Sequence, residues 1–126
     1  MVEPVVIRIL LAEDDDSLRG FLARALERAG YEVVACADGE TAIEALDQMF
    51  HVLLTDIVMP GIDGIEVARI AAARQPAMRI MFITGFAAVA LNSDSSAPRH
   101  AKVLSKPIHL RELVNEVQKM LAASAA

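Results

Sequence analysis

Residues 7–16 have the sequence IRILLAEDDD, a short apolar run that ends abruptly in four acidic residues. The run is rich in aliphatic and β-branched side chains, which is typical of a strand buried on both faces of a parallel sheet. The acidic residues mark the point where the chain leaves the core. This segment predicts a first strand over Ile7–Ala12, with carboxylates at its carboxyl end.

The rest of the chain alternates between helical and strand-like patterns. Apolar residues at i, i+3 and i+4 predict a helix after the first strand, with Asp16 as N-cap and Gly30 as the stop. Its predicted inward positions are Leu18, Phe21, Leu22, Ala25, Leu26 and Ala29. Further strands are predicted at Tyr31–Cys36, Val52–Thr55, Arg79–Ile83 and Ala101–Leu104. Further helices are predicted at Glu40–Met49, Asp63–Arg74 and near Ala87–Leu91, with a final helix whose inward face carries Leu110, Leu113, Val114, Val117 and Leu121.

This alternation favours an α/β fold: a doubly wound, five-stranded parallel sheet with helices on both faces. The chain has 126 residues, which suits one domain over residues 5–122, a short tail over 123–126 and no output domain. A polar loop at Asn92–Pro98 is the only break in composition.

Composition excludes several classes of function. The longest charge-free stretch, Ile80–Ser93, is shorter than the roughly 20 apolar residues of a membrane span. A formal net charge of −5 argues against binding a nucleic-acid backbone. The N-terminus lacks the features of a secretion signal and Cys36 has no disulfide partner, which points to the cytoplasm. We read Cys36 as a buried thiol.

Residues suited to phosphoryl chemistry follow the predicted strands. In open α/β sheets, functional groups gather beyond the carboxyl ends of the strands. These ends carry Glu13, Asp14, Asp56, Thr84 and Lys106. The sequence therefore predicts three carboxylates, one hydroxyl and one ammonium at one edge of the sheet.

The three carboxylates predict a cation between them. Two like charges ~5 Å apart repel by ~3 kcal/mol at an effective dielectric of ~20, so uncompensated acids favour a bound metal. All-oxygen ligands suit Mg²⁺. Asp56 is then a carboxylate nucleophile toward phosphorus, while Lys106 and Thr84 stabilise phosphoryl oxygens. The histidines do not cluster here, and we read all three, His51, His100 and His109, as surface residues.

In these motifs the chain resembles the receiver domains of bacterial response regulators. The resemblance rests on residues 9–19 (ILLAEDDDSLR), 53–64 (LLTDIVMPGIDG), 83–85 (ITG) and 105–107 (SKP), in the receiver order. It implies that Asp56 is the phosphoacceptor and that Mg²⁺ is bound by Asp14, Asp56, the backbone carbonyl of Val58 and, through water, Glu13. Asp15 is then an ordinary loop residue. The only reaction implied is the chain's own phosphorylation and slow dephosphorylation.

Residues 81–91 and 102–107 resemble more narrowly the stand-alone receivers of alphaproteobacteria that are linked to cell-cycle proteolysis. That likeness implies a histidine phosphotransferase or histidine kinase as phosphate donor, and control of the ClpXP protease or its substrates through protein contacts. We expect the exposed side of the first helix (Arg19, Gly20, Arg24) to dock the donor.

Three other kinds of protein use a similar set of residues. A haloacid dehalogenase-like phosphatase usually needs a second acid two residues after the nucleophile, where this chain has Val58. A flavin-binding flavodoxin-like module would bring its phosphate against the acids that follow the first strand. A pseudo-receiver that only binds partners would not need the complete set of active residues.

Overall fold

A computed structural model describes residues 5–85 and 101–123. The strands are Arg8–Ala12 (β1), Glu32–Cys36 (β2), Val52–Asp56 (β3), Arg79–Thr84 (β4) and Lys102–Ser105 (β5). The helices within these ranges are Asp16–Arg28 (α1), Gly39–Ala45 (α2), Gly64–Arg74 (α3) and Leu110–Ala123 (α4). The predicted helix near Ala87–Leu91, the Asn92–Pro98 loop and His100 lie outside the described residues. None of the helices within them has the length and apolar character that crossing a bilayer requires.

The five strands are all parallel, in the order β2-β1-β3-β4-β5. Successive residues of a strand lie on opposite faces of the sheet, and they belong to two separate hydrophobic clusters. Leu10, Leu53 and Phe82 belong to the cluster that contains α2 and α3 residues. Leu11, Leu54 and Met81 belong to the cluster that contains α1 and α4 residues. The predicted doubly wound α/β sheet is confirmed.

The start of α1 differs from the prediction. The N-cap is Asp15, whose backbone is extended and whose carboxylate accepts a hydrogen bond from the Leu18 amide at 2.8 Å. Asp16 is the first helical residue, and its carboxylate pairs with Arg19. The assignment of Asp16 as N-cap and the reading of Asp15 as an ordinary loop residue were therefore wrong, since the helix begins one residue earlier than its apolar pattern indicates.

The second helix ends at Ala45, before the predicted Met49, because a side chain from elsewhere binds the backbone that would continue it. Gln75 is buried, and its amide donates to the carbonyls of Leu46 and Gln48 at 3.2 and 2.8 Å. Its carbonyl accepts from the Phe50 amide at 3.0 Å. This clamp fixes the turn that leads into β3.

Four other side chains are placed differently from the prediction, and two of them, Ala29 and Leu110, are exposed although both were predicted to face inward. Phe21 was assigned to the core-facing side of α1, but 56% of it is exposed because Leu22 and Leu26 already fill the position against the sheet. His51 is half-buried rather than a surface residue, and its Nδ1 accepts a hydrogen bond from the Arg8 amide at 3.0 Å. His109 is exposed, and Cys36 is buried, as predicted.

Candidate phosphorylation site

Strand register places the predicted site residues at one edge of the sheet. Ala12 pairs with Thr55, so Glu13 and Asp56 follow neighbouring strands at the same level. Asp56 in turn pairs with Ile83, one residue before Thr84. The amide of Lys106 donates to the Thr84 carbonyl at 3.0 Å, which extends the pairing of β5 with β4. In the sheet, β1 lies between β2 and β3, so the direction in which strands are added reverses at β1. This reversal is the topological switch point, where open α/β folds bind their ligands.

Three carboxylates converge here. Glu13, Asp14 and Asp56 each present an oxygen, and these oxygens all lie within 4.8 Å of one another. Glu13 is fully buried and Asp56 is 4% exposed, whereas Asp14 is exposed. The cluster therefore has two acids set into the protein and one facing solvent.

Lys106 lies against two of these carboxylates. Its Nζ donates to Asp56 Oδ2 at 2.7 Å and lies 3.3 Å from Glu13 Oε1. The expectation that the acids are uncompensated is therefore wrong in part: one ammonium stands against three carboxylates, and a net negative charge remains.

The electrostatics of the cluster raise the pKa of Glu13 to about 7. Burial is the main cause, because it penalises the charged carboxylate. The negative charge of Asp56 and the Asp14 side chain raise this pKa further, whereas a hydrogen bond from the Asp15 amide and the charge of Lys106 lower it. Burial lowers the pKa of Lys106, but the hydrogen bond to Asp56 and the charges of Asp56 and Glu13 outweigh it and raise that pKa overall.

Both carboxylate oxygens of Asp56 accept hydrogen bonds. Oδ1 accepts a hydrogen bond from the Val58 amide at 3.2 Å, and Oδ2 accepts from Lys106. The Val58 side chain is 61% exposed, so the loop after β3 keeps an apolar residue in water beside the carboxylate. Thr84 ends β4 and is buried at the same edge.

Two residues that shape the site were missed from the sequence. The Arg19 guanidinium donates to the Glu13 carbonyl at 2.9 Å and to Asp16 at 2.7 Å, so it ties α1 to the loop that carries the acids. Arg19 is half-buried and engaged, so less of its side chain is exposed on the predicted donor-docking surface than its place on α1 indicated. The i, i+3 spacing of Asp16 and Arg19 was the only local signal. Gly64 packs against the backbone of Asp56 and is the second missed residue.

The residues present fit a hard divalent cation. The donor set consists of carboxylate oxygens, and the buried Glu13 Oε1 has the Lys106 ammonium 3.3 Å away but accepts no hydrogen bond from the described residues. Oxygen ligands with one open side toward solvent suit Mg²⁺, which keeps several waters when it binds proteins.

The fold and this edge define a class of protein. A family model described as response regulator receiver domain matches residues 9–118. The chain belongs to the response regulator receiver family and acts as a receiver in a two-component phosphorelay.

Among individual relatives, the chain is 64% identical over 118 residues to the response regulator receiver protein CpdR of Brucella abortus, which covers 93% of this chain and 98% of that protein. It is similar to the crystal structure of a response regulator receiver protein from Sinorhizobium medicae (33% identity, TM-score 0.87, 94% of this chain and 97% of that one). It is also similar to the receiver domain of the hybrid histidine kinase CckA (33% identity, TM-score 0.77, 90% and 98% covered).

Proposed function

We propose that Asp56 is the residue phosphorylated in this phosphorelay and that a phosphohistidine is the donor. The observation that carries the proposal is the position of Asp56: its carboxylate ends β3 beside Glu13 and Asp14, with Lys106 Nζ 2.7 Å away. A carboxylate can act as the nucleophile in phosphoryl transfer, and neighbouring positive charge offsets its repulsion from the anionic phosphoryl group.

In the proposed transfer, an oxygen of Asp56 attacks phosphorus while the phosphorus–nitrogen bond of the donor breaks. The departing imidazole nitrogen keeps the electron pair of that bond, and an acyl phosphate forms on Asp56. Lys106, already against Oδ2, neutralises charge on the transferred group, and the hydroxyl of Thr84 donates to another of its oxygens. The Val58 amide keeps Asp56 oriented.

Mg²⁺ would be held by Asp14, Asp56 and the backbone carbonyl of Val58, with Glu13 acting through a water. When bound, the ion supplies positive charge that neutralises phosphoryl oxygens. Because burial raises the pKa of Glu13, the charged carboxylate that would support the ion becomes more populated as pH rises.

A labelling experiment tests the assignment. The protein is incubated with Mg²⁺ and a ³²P-labelled histidine phosphotransferase, and the label is tested for stability in acid and base. We expect base-labile label that survives acid treatment better than phosphohistidine does, at no more than one phosphate per chain. Asp56→Asn should abolish it, whereas Asp63→Asn, an exposed N-cap of α3, should retain it. Equal labelling of the two variants would refute the assignment.

We further propose that the phosphorylation state acts through protein contacts in the cytoplasm, without turnover of a separate substrate. The 64% identity to CpdR supports control of the ClpXP protease or its substrates, with the unphosphorylated form binding. A pull-down of the unfoldase ClpX with wild type, Asp56→Ala and phosphorylated protein tests this. Stronger recovery of ClpX with the first two is expected; equal recovery in all three would refute the adaptor role and leave the receiver assignment intact.

A further inference from the structure

A cavity lies at the amino edge of the sheet, opposite the phosphorylation site. It has a volume of about 320 Å³, and its apolar lining includes Met49, Phe50, Pro76, Met78 and Leu121. His51 also lines it and stands five residues before Asp56 along β3, roughly 16 Å of extended chain at 3.3 Å per residue. The cavity shares no residue with the cluster of acids around Asp56.

Three basic side chains, His51, Arg74 and Arg79, line the same cavity. Neither arginine side chain forms an ion pair or hydrogen bond with the residues that the structure describes, and the buried Nε of Arg79 has no acceptor among them. Because His51 Nδ1 accepts a hydrogen bond, the hydrogen of the neutral ring is on Nε2, which can donate. No carboxylate is among the described lining residues. A half-buried guanidinium without an anion is unfavourable, and an acidic ligand would relieve this.

Contacts within the protein fix the walls of the cavity. The Gln75 clamp holds the turn after α2. Arg8 Nη1 donates to the Met49 carbonyl at 2.9 Å, and the Arg8 guanidinium lies 4.8 Å from the centre of the Phe50 ring. The His51 amide donates to the Arg8 carbonyl at 2.8 Å, which joins the start of β3 to β1. A preformed cavity costs a ligand less conformational entropy than one that must be ordered on binding.

Exposed apolar surface extends beyond the cavity. Three of the six large hydrophobic side chains that are exposed in the described ranges lie at this edge: Met49 at 71%, and Val5 and Val6, which precede β1, at 72% and 57%. A volume of 320 Å³ is at the low end for small-molecule sites, and the apolar surface outside it would stay exposed around such a ligand. The surface therefore favours a protein partner that fills the cavity with one or two side chains.

We propose that this amino edge is a docking surface for a segment of another protein that carries a large apolar side chain next to carboxylates. The apolar side chain occupies the cavity, and the carboxylates pair with Arg74 and Arg79. Charge complementarity decides the sign of the partner, since the basic side chains are gathered here in a chain with a net charge of −5.

Docking at this edge is independent of phosphorylation, a part of the proposal that rests on Asp56 being the phosphoacceptor. The two sites are at opposite ends of β3, and no residue belongs to both. The chain can therefore hold one partner at the amino edge while phosphorylation controls contacts elsewhere.

Other occupants fit less well. In a symmetric dimer through this edge, Arg74 and Arg79 of one copy would face the same residues of the other without a carboxylate among the described lining residues. A nucleic acid would contact the arginines but leave Met49 exposed, and the net negative charge of the chain would repel it.

The probe is a fluorescein-labelled peptide with Leu-Phe at its centre and two glutamates on either side. Binding is measured by polarisation and by chemical-shift changes in the ¹⁵N-labelled full chain. We expect the changes to concentrate at residues 49–51 and 74–79. Affinity should be about fivefold weaker for Arg74→Glu, which reverses an exposed charge, and for Met49→Ser, which removes exposed apolar surface.

Two variants away from this edge are matched controls. Arg111→Glu, at an exposed position near the start of α4, makes the same change in net charge as Arg74→Glu. Phe21→Ser removes another exposed apolar side chain. Each should weaken binding by less than about twofold, and thermal unfolding verifies that all four variants are folded.

The proposal is overturned if the peptide does not bind, if Arg111→Glu weakens binding as much as Arg74→Glu, or if a peptide with lysines in place of the glutamates or an oligonucleotide binds better. Self-association of the chain that Arg74→Glu abolishes would assign the edge to a second copy instead. Phosphorylated and unphosphorylated protein should bind the probe within about twofold, and a larger difference would refute independence from phosphorylation. Labelling of Asp56 in the same samples distinguishes failure of the phosphorylation assignment from failure of docking.

Discussion

A Cβ atom added to Gly64 would lie 1.9 Å from the carbonyl oxygen of Asp56 and 2.8 Å from its carbonyl carbon. The first turn of α3 thus packs directly on the backbone of the proposed phosphoacceptor, and the Gly64 amide donates to the Ile57 carbonyl at 2.8 Å. Both contacts are to backbone, which cannot rotate away as a side chain could. The glycine is required by close approach of two chain segments.

Gly64→Ala should displace Asp56 and destabilise the protein by about 3 kcal/mol or more, because the backbone of β3 or the start of α3 must shift. Chemical denaturation measures the loss, and phosphorylation of the surviving folded fraction measures the displacement. Gly20→Ala is the matched control: a Cβ there meets nothing within 4 Å, and alanine within α1 should leave stability unchanged or raise it by up to ~1 kcal/mol. Equal stability of the two variants would contradict the packing argument.

The metal-free protein should lose stability as pH rises, because of Glu13. Its folded-state pKa is about 7, above the ordinary 4.5 of an unfolded chain, so its stabilising contribution is complete below pH 4.5 and is lost as pH rises through 7. The difference amounts to roughly 3 kcal/mol at 1.36 kcal/mol per pKa unit.

Comparing wild type with Glu13→Gln in chelator measures this effect. Relative to wild type, the free energy of unfolding of Glu13→Gln should increase by roughly 3 kcal/mol between pH 5 and 8. Glu27→Gln, which removes an exposed carboxylate of α1, controls for the change in net charge. A difference between wild type and Glu13→Gln that does not change with pH would show that Glu13 is not held in the uncharged form by burial.

Lys106→Met should destabilise the metal-free protein at pH 8 by roughly 2 kcal/mol, since it leaves Asp56 and Glu13 without their cation. This loss of stability is smaller than the 3–5 kcal/mol expected for breaking a fully buried pair, because 30% of the Lys106 side chain is exposed. Mg²⁺ should raise the Tm of this variant more than that of wild type, because the ion no longer competes with the ammonium.

Lys119→Met is the matched control for that experiment, since Lys119 pairs with Glu116 on α4 and its side chain is 74% exposed. It should change neither the stability nor the response to Mg²⁺ appreciably. A larger effect of Lys119→Met than of Lys106→Met would exclude the proposed electrostatic role of Lys106.

Gln75→Ala should lower the free energy of unfolding by about 2 to 3 kcal/mol, because it leaves the Phe50 amide and two carbonyls of the turn after α2 without partners. Phosphorylation at Asp56 should persist, as the clamp lies at the opposite edge of the sheet from the acids. Gln118→Ala, an exposed position on α4, should have no measurable effect on stability. Urea denaturation measures the loss of stability, and labelling of the same samples measures any loss of phosphorylation.

The sequence alone determined the fold class and the membership of the proposed site. Apolar runs that switch between strand and helix periodicity are local signals, and each run ends where polar residues begin. The ends at Glu13, Asp56 and Lys106 could therefore be located without coordinates. Parallel topology then required these ends to share one edge.

The tertiary structure determined the contacts between those residues and the pKa of Glu13. The Lys106–Asp56 contact and the raised pKa of Glu13 depend on distance and burial across three strands. The end of α2 depends on Gln75, which is distant in sequence. The exposure of Phe21 depends on which α1 side chains reach the sheet, where Leu22 and Leu26 fill the available space. Local periodicity specifies which residues prefer to be buried, but only the packed arrangement decides which of them find space in the core and how neighbouring charges compensate one another.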